Sequence, residues 1–368
     1  MYRKIHEIFF GVGAKHLSVF QQLYVKKFVT EELADRIPFN ESNHPGAHTE
    51  YIVAAARKSG LHVQKVGLGY YFYRENVLVG GVRQMLSSLV SSVALSACNN
   101  KRITKELLAS SGVSTPSGAT FRRDERDLAY AYFLNLARPA VVKPSDGIGG
   151  AGVTCGVVGG EQFGEAWNKS IAASPSHGSI IVEEYVTGVD VRAYVVGEKL
   201  VAAATRLPAF VIGDGGSTLA ELLERKRTMR KRNAYLRRMP IAIDEAWIQN
   251  SGHTLNNIVE KDNVVVLNGT VNLHQGGEHV DVTDILSPEV KELAVRAASA
   301  IPGLGAAGID LLVKSPRIAD EAVVLEANAK ANISVHHLPA YGKAVDVGNA
   351  IIAEMLRQNA IRVAFQYG

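Results

Sequence analysis

The sequence predicts an α+β fold built on antiparallel hairpins, which argues against a doubly wound parallel sheet. Three observations predict it. The apolar, β-branched runs "DVRAYVV" (190–196) and "LVAAATRLPAF" (200–210) flank a short "GEK" and read as one hairpin. "AAGIDLLV" (306–313) and "AVVLEANA" (322–329) read as a second, joined by a polar loop. Helices open at clear caps: Thr218 has Glu221 three residues on, as in a capping box, and Ser287 precedes Pro288 at a first helical position.

Taken in order, residues 1–100 mix helical stretches with short strands such as "HVQKVGL". "MLSSLVSSVALSAC" (85–98) is interrupted by serines and too short to span a bilayer, so it reads as one buried helix. "ITKELLASSGVSTPSG" (103–118) reads as a short helix, with Gly112 at a left-handed cap and Pro116 blocking continuation. The strand "PAVVK" follows, then a glycine-rich loop, a helix around "EQFGEAWNKSIAA", and the strand "SIIVEEYV" (179–186). A C-terminal helix carries Ile351, Ile352, Met355 and Leu356 on one side.

The 368 residues suffice for two or three packed units. A net charge of +4 permits an anionic small molecule and does not call for nucleic acid. Two cysteines, Cys98 and Cys155, cannot build a disulfide framework or a metal cluster. With no signal-peptide core and no membrane span in view, a cytoplasmic protein is expected. The basic stretch "ERKRTMRKRNAYLRR" (224–238) reads first as a solvated helix face, and otherwise as a cationic rim for carboxylate-rich substrates.

Two stretches carry chemistry. In "VVKPSDGIGGAGVT" (141–154) an apolar run delivers Lys143, and then four glycines crowd into six positions. Clustered backbone N–H groups beside a lysine suit phosphate. The second stretch is the acidic hairpin. Glu326 and Asn328 lie two apart and share a face, and a hairpin folded about residue 318 sets Asp310 almost opposite Glu326. Facing carboxylates without a basic neighbour repel each other; with an amide oxygen they make an all-oxygen site suited to Mg²⁺. Mg²⁺ usually bridges carboxylates to substrate phosphates, so the loop and the hairpin need each other. "VEEYVTGVD" adds a strand end with backbone groups for an adenine edge, and Asp190 as an acceptor for ribose hydroxyls.

This order of motifs resembles the ATP-grasp superfamily over about residues 97–356. It is closest to the ATP-grasp portion of cyanophycin synthetases and bifunctional glutathione synthetases, and more distantly similar to D-alanine–D-alanine ligases. The stretches that carry the resemblance are "NNKRITKELLASSGVSTP", "VVKPSDGIGGAGVT", "VEEYVTGVDVRAYVV", "GDGGSTLAELLE", "NLHQGGEHVDVTD", "GIDLLV" and "VLEANA". The resemblance implies an ATP-grasp fold: two α+β subdomains clasping ATP, at 101–186 and 187–368. An N-terminal α/β region, 1–100, precedes them and contributes to the substrate cleft.

It also implies roles. Lys105 and Lys143 would contact ATP phosphates, and the loop Ser145–Val153, with Gly147, Gly149, Gly150 and Gly152, would close over them as a lid. Glu183, Glu184 and Val186 would line the adenine, and Asp190 would hold the ribose. Asp310, Glu326 and Asn328 would bind two Mg²⁺ ions, with Mn²⁺ as a substitute. Arg192 and Arg206 would face the transferred phosphate or the carboxylate substrate, with Asn272 near the same charge. Lys101 and His274 read as structural or surface residues.

The activity implied is ATP-dependent ligation of an amino-acid or small-peptide carboxylate to an amine; a homodimer is common among such relatives, while the sequence itself does not set the oligomeric state. The alternatives are a small-molecule kinase and a regulatory nucleotide-binding module without turnover. After the metal strand the chain reads "NAKANISVHH", without the Pro-Gly those relatives often place there, so their substrates do not transfer.

Overall fold

Both expected hairpins form, and they share one sheet. The computed structural model describes residues 15–33, 37–43, 46–147, 150–174, 178–269 and 273–367. Strands β1 (His62–Val66), β2 (Gly69–Arg74), β3 (Val77–Arg83) and β4 (Leu86–Ser87) make an N-terminal meander. Next come β5 (Gly118–Phe121), β6 (Ala140–Pro144), β7 (Thr154–Val157) and β8 (Ile180–Glu184), ordered β5-β8-β6-β7. The largest sheet runs β13-β10-β9-β14-β15, from β9 (Val189–Val196), β10 (Lys199–Leu207), β13 (Glu278–Asp281), β14 (Ala306–Val313) and β15 (Val323–Asn328). β11 (Phe210–Ile212) and β12 (Val264–Val266) pair separately. The pairings within these sheets are antiparallel.

Alternation along the strands decides which faces do chemistry. In the five-stranded sheet Val191, Ala193, Val195, Ile309 and Leu311 belong to one core with Val290, Leu293, Ala294 and Ala297 of the helix Pro288–Ser299. The opposite face is split. At one end Tyr194, Val196, Ala202 and Ala306 pack with the C-terminal helix Val347–Tyr367 and the helix His48–Lys58. At the other end the same face carries Asp190, Arg192, Arg206 and Asp310. In the β5–β8 sheet, Val142, Ile180 and Val182 pack with Phe163 and Trp167, which leaves Lys143 and Glu183 on the other face.

The helix caps read from the sequence are present. Thr218 and Glu221 form a capping box, Ser287 Oγ accepts from Val290 N–H, and Gly112 is left-handed at φ +66°. One expectation fails. Residues 85–98 are not a single buried helix: Leu86–Ser87 is strand and the helix is confined to Ser92–Cys98. The serines decide this, because Ser88 Oγ accepts from Gly81 N–H beside the β3–β4 pairing and Ser91 Oγ caps the helix at Ala94 N–H. Among the described residues no helix is long and apolar enough to cross a membrane.

Candidate functional site

Two charged clusters meet between the β5–β8 sheet and the five-stranded sheet. The first is built on β6 and β8. Val141 lies opposite Glu183 and Lys143 opposite Ile181, so Lys143 and Glu183 are diagonal neighbours on one face. Glu183 is 2% exposed. One carboxylate oxygen accepts from Lys143 Nζ at 2.5 Å and the other from Lys105 Nζ, also at 2.5 Å. Lys105 reaches in from the helix Lys101–Ser110 and also donates to the Pro116 carbonyl at 2.9 Å. Burial pushes the Glu183 carboxyl up, but Lys143 and then Lys105 outweigh it and hold it below the usual carboxylate range. Burial lowers the Lys105 ammonium, with Glu183 opposing and Lys143 adding to the shift. Two ammonium groups held by one carboxylate leave a net positive charge, which suits a phosphate.

The second cluster is a row across the five-stranded sheet. Arg192 of β9 lies opposite Asp310 of β14, which lies opposite Glu326 of β15. Directly paired residues share a face, so the three side chains stand in line. The pairing of Asp310 with Glu326 is the one the hairpin arithmetic predicts. A bulge follows at Asp310/Leu311 and ends the regular register beside the carboxylates. The expectation of carboxylates without a basic neighbour is corrected here. Arg192 grips Asp310 with Nε on one oxygen and Nη2 on the other at 2.9 Å. Arg206 binds Asp190 through Nε and Nη2 and reaches Asp310 with Nη2 at 3.1 Å. Sequence reasoning could not see Arg192 beside Asp310, because the pairing joins residues 118 apart in the chain.

The donor chemistry at Asp310 and Glu326 fits a hard divalent cation. Burial raises Asp310, but Arg192 and Arg206 bring it down to about 2. Burial and the charge of Asp310 push Glu326 up, against smaller opposing pulls from Lys101, Arg192 and Lys143. A carboxylate raised by its neighbour's charge is stabilised by any cation that binds both. Asn328 lies two residues on, opposite Gly308, with its amide oxygen accepting from Lys330 N–H at 2.8 Å. Among the described residues no group of three or more His, Cys, Asp or Glu side chains is poised to hold a metal; the oxygen donors here are two carboxylates and one amide.

The glycine loop bridges the clusters. Lys101 Nζ donates to the Gly147 carbonyl at 2.7 Å and stands 3.6 Å from Glu326. Ser145 is buried between strands, its N–H on the Ser179 carbonyl and its own carbonyl accepting from Lys101 N–H. Gly150 and Gly152 have φ of +82° and +73°, where any side chain is strained, and Val153 N–H closes back on the Gly150 carbonyl.

Other expected residues fall as follows. The Glu183 carboxylate, expected to line the adenine, is engaged by the two lysines. Glu184 ends β8 and Val186 lies half-buried in the β8–β9 connection. Asp190, assigned to the ribose, is held by Arg206. Gly149 and Asn272 lie outside the described residues. Lys101 is the residue that sequence reasoning passed over, although a signal existed. The first turns of its helix carry Lys101, Arg102 and Lys105 with no acid in the first turn, against the helix dipole. Such a sequence costs stability unless something anionic is to be met there. The basic stretch is also not wholly a solvated face. Lys226 and Arg230 turn inward and clamp the buried Glu278 at 2.7 and 2.9 Å.

Residues 98–333 match the ATP-grasp domain family. This chain belongs to the ATP-grasp family. It is 31% identical over 351 residues to cyanophycin synthetase of Trichormus variabilis, covering 91% of this chain and 38% of that protein. It is 30% identical over 281 residues to the glutathione biosynthesis bifunctional protein GshAB of Pasteurella multocida, covering 72% of this chain and 35% of that one. A solved bifunctional glutathione synthetase from Pasteurella multocida superposes with a TM-score of 0.64 at 24% identity, over 84% of this chain and 44% of that one. That likeness shows a shared fold. The ATP-grasp chain thus spans 38% and 35% of the lengths of these two curated relatives.

Proposed function

We propose that this ATP-grasp protein is an ATP-dependent carboxylate–amine ligase. One observation carries the reading: a single helix supplies both Lys105, which holds Glu183 beside Lys143, and Lys101, whose Nζ stands 3.6 Å from Glu326 in the Arg192–Asp310–Glu326 row. An amine does not displace oxide from a carboxylate. Attack of the carboxylate oxygen on the γ-phosphorus of ATP expels ADP and leaves an acyl phosphate. The amine then attacks the acyl carbon, phosphate departs, the nitrogen loses a proton, and an amide remains.

The residues divide this work. Lys143 and Lys105 hold phosphate oxygens, oriented by Glu183. The loop Ser145–Val153 closes over them and excludes water, which would hydrolyse the acyl phosphate. Arg192 and Arg206 sit where the carboxylate and the transferred phosphoryl group would meet. Asp310, Glu326 and Asn328 would hold Mg²⁺, which when bound neutralises charge on the phosphates. In this reading 101–186 is the lid subdomain, 187–368 carries the metal and acid sites, and 1–100 completes the substrate cleft. The substrates are an amino acid or short peptide as the acid and an amine-bearing partner.

The test is phosphate release from ATP across a matrix of amino acids and dipeptides, with products identified by mass spectrometry. A ligase releases phosphate only when acid and amine are both present, and the product mass equals the two minus water. Transfer of phosphate to a single acceptor, with no free phosphate, would show a kinase and overturn the proposal.

A further inference from the structure

We infer that the edge of β3 and the C-terminal helix form a second binding site, for a short extended peptide that ends in a free carboxylate. A cavity of about 360 Å³ lies between them. In the meander β4 pairs with β3 only at Val82 and Arg83. Ser88 closes the next step, its N–H donating to the Gly81 carbonyl and its Oγ accepting from Gly81 N–H. From Gly80 back to Leu78 that edge of β3 has no strand partner among the described residues, and the cavity runs along it. An open strand edge offers backbone N–H and C=O groups that an added strand takes up.

The walls say what such a strand would carry. Val79, Val82, Leu89 and Met355 line the cavity and belong to the core shared with the C-terminal helix, so they suit an apolar side chain. Gly80 puts no side chain between them; a Cβ there would stand 2.7 Å from Met355 Sδ. Ser87 is 8% exposed, and its Oγ has no hydrogen-bond partner among the described residues. A buried hydroxyl left in that state is costly, and an amide of the peptide would satisfy it. Gln358 and Asn359 are engaged already, on Glu354 and on the Leu78 carbonyl. Arg83 is exposed and makes no ion pair among the described residues, and no described residue of the lining is acidic. One unpaired guanidinium matches one carboxylate, which it can hold with two parallel hydrogen bonds. Strand alternation sends Arg83 and Ser87 to opposite faces. A ligand extended along the edge meets both, with its own groups alternating in the same way. The described lining shares no residue with the Lys143 cluster or the Glu326 row, so this inference stands apart from the nucleotide reading.

The experiment measures fluorescence anisotropy of fluorescein-labelled Gly-Ser-Ala-Leu with a free C-terminus, beside the same peptide as its C-terminal amide. The unaltered protein should bind the acid about two- to fivefold more tightly than the amide, the factor an exposed ion pair contributes. Arg83→Met should erase that preference. Ser87→Leu, which fills the cavity, should weaken both peptides about tenfold or more, the worth of one buried leucine side chain. Saturating ATP and Mg²⁺ should leave all of this unchanged, and circular dichroism checks that the variants fold. Arg83→Met keeps the test decisive should Ser87→Leu misfold. No binding by the unaltered protein, displacement of the peptide by ATP, or a preference for the acid that survives Arg83→Met would overturn the inference.

Discussion

Glu183 shows how one side chain can bring together two cations from distant parts of the chain. Its two oxygens fix two lysines from different elements, and neither ammonium has another acidic partner within 4 Å among the described residues. Glu183→Gln leaves the buried Lys143 and the half-buried Lys105 ammonium groups side by side. Loss of one partner of a buried pair costs about 3–5 kcal/mol, and urea unfolding at pH 7 should show a destabilisation in that range together with weakened ATP binding. The pH dependence follows from the sign of the shift. The folded-state carboxyl lies below its ordinary 4.5, so its stabilisation is complete above that value and lost as pH falls through the folded one. The Glu183→Gln protein should therefore lack this part of the acid-induced loss. Lys143, Asp310 and Glu326 were legible in the sequence because each sits at a strand position with a local signature. The task of Glu183 was not, since its partners come from 40 and 78 residues away.

Within the elements, register does the positioning. The hairpin of β14 and β15 was legible because both runs are apolar, β-branched and separated by a polar loop, which fixes the facing pair by counting. The neighbour on the other side, β9, was not fixed by any local pattern, and with it went Arg192. Gly308 makes that neighbour fit. A Cβ there would stand 2.8 Å from Arg192 Cδ and 2.5 Å from Ala331 Cβ, so the guanidinium lies across β14 only because position 308 has no side chain. Gly308→Ala should cost about 1–3 kcal/mol through overpacking and push Arg192 off Asp310. Far-ultraviolet dichroism should stay native while ATP-dependent turnover falls; unchanged turnover would free Arg192 from the role given to it. The segment 85–98 misled for a related reason. Its serines serve as caps and loop acceptors, which composition alone does not distinguish from interruptions in a helix.

At the scale of the molecule, the N-terminal region is docked through histidines against the segment that follows β15. His48 Nδ1 accepts from Ile333 N–H at 3.3 Å, and Tyr51 stacks on His337 with centroids 3.8 Å apart. Burial, followed by the field of His337, lowers His48 to about 4; burial lowers His337 to about 4, and burial with Arg192 lowers His336 to about 3. All three are neutral in the folded state. Their contribution is present above the ordinary value of 6.5 and is lost as pH falls from there toward 4. Each histidine contributes up to about 1.4 kcal/mol per pH unit in that window, so the thermal midpoint should drop steeply between pH 6.5 and 5. A flat profile would mean that these imidazoles titrate freely. None of this was legible beforehand, because "SVHH" offers no clue to a stacking partner nearly three hundred residues earlier.

The central claim is that the Lys143 cluster and the Glu326 row form one site for a nucleotide and its cation. Calorimetric titration with ATP, with and without Mg²⁺, tests it most directly when run on the unaltered protein, Lys143→Met and Glu326→Gln. The account predicts magnesium-assisted binding in the unaltered protein, loss of binding in Lys143→Met, and loss of only the magnesium-dependent increment in Glu326→Gln. ATP binding indifferent to Mg²⁺, or a Glu326→Gln protein that keeps the full increment, would contradict it.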